Sequence, residues 1–299
     1  MKKPLLFAIF LFCHTVFVEG IPNAITADAN QAEYKKGTGI LITEQGYKFD
    51  YSYYPSNTSG PSVIYIPGLG GRTYYSQEWN GYTLAEGLNN AGFNFVGFDF
   101  SGWPNCPTSN LGPCVKRGQE RGASGSLMMP SADGKEAGTQ NLTRNEVHSI
   151  IQFIEGSPTH DVNKGIFLIG SSLGSWISLC TVHSYPEKIR AVIFLSPGIV
   201  SDMWNEPQEK YPNANEYWES MLKAFGTRPA LAIGGSKDNI VLKWSNNTAW
   251  DSAQFLRNKI GPSVDILKIE TADHAEKLVS QHSDVREQIV SWLTRHAMK

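Results

Sequence analysis

The stretch GIFLIGSSLGSWISLC, residues 165–180, is an apolar run interrupted by two glycines and two serines. Its pattern predicts a buried strand over 165–169, a tight turn, and a helix from Leu173 to His183. A strand that turns abruptly into a helix strains the backbone, and the residues that flank the turn must be small so that no Cβ blocks the approach. The stretch therefore predicts that Ser172 lies at the turn with its hydroxyl directed outward.

The helix that follows this turn gives Ser172 an electrostatic setting. The first N–H groups of a helix have no intrahelical partner, and the helix dipole is positive at that end. An anionic intermediate formed at the Ser172 hydroxyl would be stabilised there. The alternative interpretation is a small-residue turn that only lets a helix pack close to a strand.

The rest of the chain continues the alternation of strands and helices. Such alternation predicts βαβ units and a mostly parallel sheet, and no repeat or low-complexity linker divides the chain. We predict eight strands, near 40–43, 47–53, 62–66, 94–98, 165–169, 191–195, 230–233 and 264–269. We predict helices near 82–91, 143–155, 173–183, 217–225, 247–259 and 275–297. The fold class is therefore α/β, a single domain with an eight-stranded sheet flanked by helices.

Composition and charge limit the partners of the chain. Its 299 residues are 41% hydrophobic and 11% aromatic, which is enough to bury one large core. The formal net charge is −2, and no run of three or more Lys or Arg residues occurs. We therefore expect no binding to nucleic acid or to anionic lipid.

The N-terminus resembles a secretory leader in its physical pattern. Lys2 and Lys3 precede fifteen mostly apolar residues, 4–18, and small residues allow cleavage after Gly20 or as late as Ala29. A membrane anchor is the alternative, but a span needs about 20 apolar residues. We expect residues 1–20 to be removed, the domain to cover 30–299, and the protein to be secreted or periplasmic without integral membrane association.

The cysteines indicate one disulfide and no metal site. Cys106 and Cys114 lie in a stretch rich in Pro, Gly, Asn and Ser, where an oxidising compartment favours a bridge, whereas Cys180 lies in an apolar helical pattern. We predict a Cys106–Cys114 disulfide and a free, buried Cys180. A zinc site is disfavoured because no CxxC motif or nearby His cluster accompanies them, and we expect no metal and no cofactor.

The motif GSSLG, residues 170–174, matches GxSxG between a strand and a helix, and in this context the chain resembles the α/β-hydrolase family over nearly all of 30–299. The resemblance implies a nucleophile, an acid and a histidine in that chain order. Residues 234–241, GGSKDNIV, resemble the acid loop of the family, which makes Asp238 the counterpart of the acid. His274 follows the last strand, where the family carries its histidine. Asp202 and Asp273 remain rival candidates for the acid.

A fourth match is YIPGLGG, residues 65–71, which resembles the oxyanion loop of the family with proline in place of histidine. The resemblance implies that the N–H groups of Leu69 and Leu173 stabilise a tetrahedral intermediate. A phosphate-binding loop is the rival interpretation, but the stretch lacks GxGxxG and a following Lys-Ser/Thr pair.

These residue types together indicate acyl transfer to water. The resemblance implies that His274 accepts the Ser172 proton, that Asp238 orients the imidazole, and that an acyl-enzyme forms on Ser172. We expect a carboxylic ester as substrate, either a small molecule or a lipid. A peptidase or amidase of the same fold, for which Glu206 and Glu209 would bind an amino terminus, and a non-catalytic binding protein are the alternatives.

Two insertions are expected to shape the substrate pocket. The first, near 101–141, carries the predicted disulfide and the apolar residues 127–130; the second, near 196–228, is a small cap. An apolar stripe in the second insertion has helical spacing, which fits either packing against the sheet or a short lid. Its members are Tyr217, Trp218, Met221, Leu222 and Phe225. Either arrangement leaves an open site suited to a modest or flexible acyl chain.

Overall fold

A computed structural model describes residues 36–68, 81–100, 138–199, 214–239 and 247–298. Eight strands in these ranges form one sheet in the order β1-β2-β4-β3-β5-β6-β7-β8. The strands are β1 (Gly37–Ile42), β2 (Lys48–Tyr54), β3 (Ser62–Ile66), β4 (Asn94–Phe98), β5 (Ile166–Ser171), β6 (Ile189–Leu195), β7 (Ala230–Gly235) and β8 (Val264–Ile269). The predicted fold class, an eight-stranded α/β sheet, is confirmed.

The direction of the strands sets where functional groups collect. β1 pairs antiparallel with β2, and β2 pairs antiparallel with β4. Strands β3 to β8 are parallel to one another. Because parallel strands end at the same side of a sheet, the loops after β3, β5, β6, β7 and β8 share one edge. We call this side the carboxyl edge and the opposite side the amino edge.

Helices cover both faces of the sheet. They are α1 (Gly81–Asn90), α2 (Gly138–Leu142), a π-helical segment (Thr143–Val147), α3 (His148–Glu155), α4 (Leu173–Ser184), α5 (Ala214–Phe225), α6 (Ala249–Ile260), α7 (Glu276–Gln281) and α8 (Ser283–Ala297). Helices α3, α4, α5 and α6 contribute to one apolar cluster, and α1, α7 and α8 contribute to the other. The central strands β3, β4 and β5 are buried along their whole length, as expected for a sheet covered on both faces.

The predicted C-terminal helix over 275–297 is wrong in one respect, because it is two helices. His282 has an extended backbone, with φ −118° and ψ 97°, and separates α7 from α8. Its Nε2 lies 2.9 Å from Oδ2 of Asp273 in the loop after β8. A side-chain contact outside the helix thus accompanies the break, and the helical periodicity of the sequence continues across it.

The apolar stripe of the second insertion is core packing. Trp218 is fully buried on α5, and its ring centroid lies 4.2 Å from that of Trp176 on α4. Phe225, at the end of α5, packs 5.9 Å from Phe194 of β6. The lid interpretation is wrong for α5; the neighbouring residues 200–213 lie outside the described ranges.

Several sequence predictions fall wholly or partly outside the described ranges. The leader, residues 1–20, and the Cys106–Cys114 pair are not described, so both stay predictions. Cys180 is free and buried, and burial raises the pKa of its thiol to about 11. Within the described ranges, no helix combines the length and apolarity that a membrane crossing needs.

Candidate functional site

Ser172 lies in a strained turn between β5 and α4. Its φ of 51° and ψ of −111° lie where residues other than glycine are rarely found. A Cβ on Gly170 would come within 2.4 Å of the Gly174 carbonyl oxygen, and a Cβ on Gly174 would lie 2.2 Å from the Ile66 carbonyl oxygen. Both glycines of the GxSxG motif are therefore required by close backbone approach, as the sequence predicts.

The strain extends to the loops beside this turn. Ser172, Ser196 and Ala275 are the non-glycine residues with positive φ in the described part of the chain. They follow β5, β6 and β8 at the carboxyl edge. The Ser196 Oγ accepts a 2.7 Å hydrogen bond from the Ala275 N–H, and the Ser172 N–H donates to the Leu195 carbonyl at 2.9 Å. Strained backbone held by such bonds occurs preferentially at functional sites.

Asp238 and His274 form a direct pair at this edge. The His274 Nδ1 lies 2.7 Å from Asp238 Oδ2, and the Asp238 side chain is fully buried while that of His274 is 16% exposed. The loops that carry them are joined by a 2.9 Å hydrogen bond from the Lys237 N–H to the Thr271 carbonyl. With the Nδ1 proton donated to the carboxylate, Nε2 of His274 is an acceptor, which is the state a general base needs.

The Asp273 carboxylate contacts Thr271 and His282. Its Oδ2 accepts a 3.0 Å hydrogen bond from the Thr271 hydroxyl and lies 2.9 Å from His282 Nε2. The hydrogen bond with His282, followed by that from Thr271, lowers the pKa of the Asp273 carboxyl. The structure thus brings Asp238 rather than Asp273 to His274, and Asp202 lies outside the described residues.

The loop that carries His274 also contacts the Ser172 turn. Glu276, two residues after His274, accepts a 2.9 Å hydrogen bond from the Ser171 hydroxyl on Oε1. The loop after β3 approaches the same point, because a Cβ on Gly68 would lie 3.0 Å from the Ser172 Cβ. Sequence reasoning missed Glu276, since an acidic residue at the start of a helix is ordinary.

The structure describes one of the two residues that are predicted to line the oxyanion site. Leu173 is the first residue of α4 and is buried, so its N–H belongs to the helix end that faces Ser172. Leu69 follows Gly68 and lies outside the described residues. Both roles stay predictions. The described residues contain no group of three or more His, Cys, Asp or Glu side chains that could hold a metal ion.

Comparison with known proteins finds a matching family model and a relative that is similar in sequence. A family model described as alpha/beta hydrolase fold matches residues 61–226. "Palmitoyl-protein thioesterase ABHD10, mitochondrial" from Rattus norvegicus is 26% identical over 252 residues, which cover 73% of this chain and 70% of that protein.

Solved structures with the same fold cover most of the chain. The Pyrococcus furiosus esterase Pf2001 is 14% identical with a TM-score of 0.58, and the match covers 88% of this chain and 93% of that one. Alpha/beta hydrolase domain-containing protein 10 from mouse is 18% identical with a TM-score of 0.54, covering 86% and 96%. At these identities the likeness shows the fold.

Proposed function

The chain belongs to the α/β hydrolase fold family, and from this premise we propose that it hydrolyses carboxylic esters, including thioesters, through an acyl-enzyme on Ser172. One observation carries the proposal. The buried Asp238–His274 pair, 2.7 Å between Nδ1 and Oδ2, lies at the same sheet edge as the strained turn of Ser172. A serine hydroxyl is a poor nucleophile at neutral pH, and an imidazole base removes that difficulty.

In acylation His274 carries the proton, and Asp238 supports it. The Ser172 Oγ attacks the acyl carbon while its proton passes to Nε2 of His274. Asp238 stabilises the imidazolium and keeps the ring in the productive tautomer without taking the proton itself. When the tetrahedral intermediate collapses, His274 gives the proton to the departing alkoxide or thiolate. Water then repeats the sequence on the acyl-enzyme and releases the carboxylic acid.

The negative oxygen of each tetrahedral intermediate needs hydrogen-bond donors in place. We propose the N–H groups of Leu69 and Leu173 for this role. Donors held about 3 Å from the developing oxyanion typically contribute roughly 3–4 kcal/mol to lowering the barrier. Leu173 begins α4, so the positive end of the helix dipole adds to the stabilisation.

The names of two similar proteins support the proposed substrate class. The rat relative is named a palmitoyl-protein thioesterase, and the Pyrococcus furiosus protein is named an esterase. Both names describe acyl transfer from oxygen or sulfur to water, which is the chemistry of a serine, histidine and aspartate set. We therefore propose oxygen esters and thioesters ahead of amides.

A substrate series tests the proposal. Purified protein is assayed with matched oxygen esters and thioesters whose acyl groups run from acetyl to palmitoyl. Aminoacyl amides are assayed beside them, and Ser172→Ala is the control. We expect turnover of esters or thioesters that disappears in Ser172→Ala. Preferential turnover of the amides would replace the proposal with a peptidase, and no turnover of any series beyond that of Ser172→Ala would favour the non-catalytic alternative.

We also propose export, on the strength of Lys2, Lys3 and the apolar residues 4–18. The name of the rat relative places that protein in mitochondria. Sequencing the N-terminus of the protein from its source, and mapping its peptides by mass without reduction, tests both the leader and the disulfide. We expect a start at residue 21 or 30 and a Cys106–Cys114 bridge; an uncleaved leader or free Cys106 and Cys114 thiols would contradict this.

A further inference from the structure

Glu276 has contacts on three loops of the candidate site. Its Oε1 accepts the 2.9 Å hydrogen bond from the Ser171 hydroxyl at the end of β5. The same oxygen would lie 3.7 Å from a Cβ on Gly68, in the loop after β3. Through the backbone Glu276 is two residues from His274. One carboxyl group therefore touches the nucleophile turn and the predicted oxyanion loop, and belongs to the histidine loop.

Burial makes the ionised form of the Glu276 carboxyl unfavourable. Burial raises the pKa of Glu276, although the N–H groups of Glu276 and Gly68, the Ser171 hydroxyl and the charge of His274 act in the opposite direction. A glutamine is nearly the same size and carries no ionisable group. A residue that is unfavourable where it stands, and that contacts a candidate site, is a candidate for a functional role.

Ser171 and Ser172 have different roles in the proposed site: Ser171 contacts Glu276, and Ser172 is the proposed nucleophile. Ser171 is the last residue of β5, and Ser172 is the first residue of the strained turn. Ser171 is fully buried and bonds to Glu276, so its hydroxyl is committed to holding the turn. Ser172 is the first residue beyond β5, where its hydroxyl has no such commitment to the Glu276 carboxyl.

We propose that Glu276 is a positioning residue that holds the backbone at Gly68, the turn at Ser171 and the loop of His274 in one arrangement. This inference rests on the proposed function, since it concerns the geometry of the same acyl transfer. Leu69, whose N–H is predicted to bind the oxyanion, is the next residue after Gly68. Displacement of a catalytic group by about 1 Å costs on the order of 10²-fold in rate. Glu276 therefore acts on kcat through the placement of Ser172 and His274.

Four variants test the role of Glu276. Glu276→Ala removes all of its contacts, and Glu276→Gln keeps one acceptor oxygen for Ser171 but replaces the other with an amide that cannot accept an N–H. Ser171→Ala removes the Ser171 contact alone. Glu270→Ala is the matched control, because Glu270 is exposed on the same segment and pairs with Lys268 at 2.6 Å.

Steady-state kinetics are measured at a temperature where circular dichroism shows every variant to be folded. We expect Glu276→Ala to lower kcat about 10²-fold with KM within about twofold, Glu276→Gln and Ser171→Ala to fall between it and the parent, and Glu270→Ala to match the parent. If Glu276→Ala does not fold, the near-isosteric Glu276→Gln decides, with a fall in kcat at unchanged KM supporting the role.

An unchanged kcat in Glu276→Gln and in folded Glu276→Ala would overturn the inference, as would a loss that follows KM alone. The Ser172→Ala variant is measured beside them. If Ser172→Ala keeps its activity, the proposed function itself fails; if only the Glu276 variants keep theirs, the proposed function stands and the positioning role fails.

Discussion

The two edges of the sheet both bury polar side chains, but they hold them differently. At the amino edge, the Asn94 amide is fully buried and joined to its neighbours on every side. Its Oδ1 accepts from the Thr159 hydroxyl at 2.6 Å and from the Ser56 N–H at 2.9 Å, and its Nδ2 donates to the Thr159 carbonyl at 2.8 Å. Tyr53 adds a 2.6 Å hydrogen bond to Ser157 in the same cluster.

At the carboxyl edge, the polar groups are accompanied by strain. Ser172, Ser196 and Ala275 all have positive φ, and the His274 ring stays 16% exposed beside a buried carboxylate. The amino edge satisfies its polar groups and gains stability. The carboxyl edge keeps unfavourable backbone and a buried acid in place, which is expected where the arrangement serves a reaction. Changes at the two edges should therefore act on different measured quantities.

The largest expected effect is at the carboxyl edge, for Asp238→Asn. The amide cannot hold the imidazole in the productive tautomer, so kcat should fall about 10³- to 10⁴-fold while the thermal unfolding midpoint changes little. Asp202→Asn and Asp273→Asn are the controls and should retain most of the turnover. Should Asp202→Asn show the large loss instead, at equal thermal stability, the acid of the site would be Asp202.

Asn94→Ala should have the opposite signature at the amino edge. Removing the amide leaves buried donors and acceptors without partners, and we expect the free energy of unfolding to fall by about 3 kcal/mol. Urea unfolding measures the loss, and ester turnover per folded molecule should stay within about twofold of the parent. A large fall in kcat without a loss of stability would remove the distinction between the two edges.

Ala275→Gly tests the backbone strain at the carboxyl edge, and its expected effect on stability is smaller. Ala275 has φ 52° and ψ −109°, a region that glycine occupies without a steric penalty. Relief of that strain, offset by the greater freedom of glycine in the unfolded chain, should raise the free energy of unfolding by about 1 kcal/mol. A fall in stability, measured by urea unfolding, would show that the backbone at Ala275 is not strained.

Much of the fold was predictable because burial leaves a clear pattern. Strands β3, β4 and β8 have the predicted bounds, since each is a short run bounded by turn residues. Ser172 follows β5, and Asp238 and His274 lie 2.7 Å apart in the loops after β7 and β8, while their catalytic roles stay predictions. Each is marked locally, by GxSxG or by its place directly after a strand.

What the sequence did not predict depends on contacts between distant residues. The break at His282 coincides with its contact with Asp273, and a continuous helical pattern hides it. The contact of Glu276 with Ser171 joins residues that are 105 positions apart. Periodicity reports which side of an element is buried, and it carries no information about which distant polar group a side chain meets.

An adduct experiment identifies the nucleophile directly. The protein is treated with a fluorophosphonate probe, digested, and the modified residue located by tandem mass spectrometry, with Ser172→Ala and Ser171→Ala treated in parallel. We predict one adduct, on Ser172, absent from Ser172→Ala and retained in Ser171→Ala. An adduct on Ser171, or equal labelling of Ser172→Ala and the parent, would contradict the account.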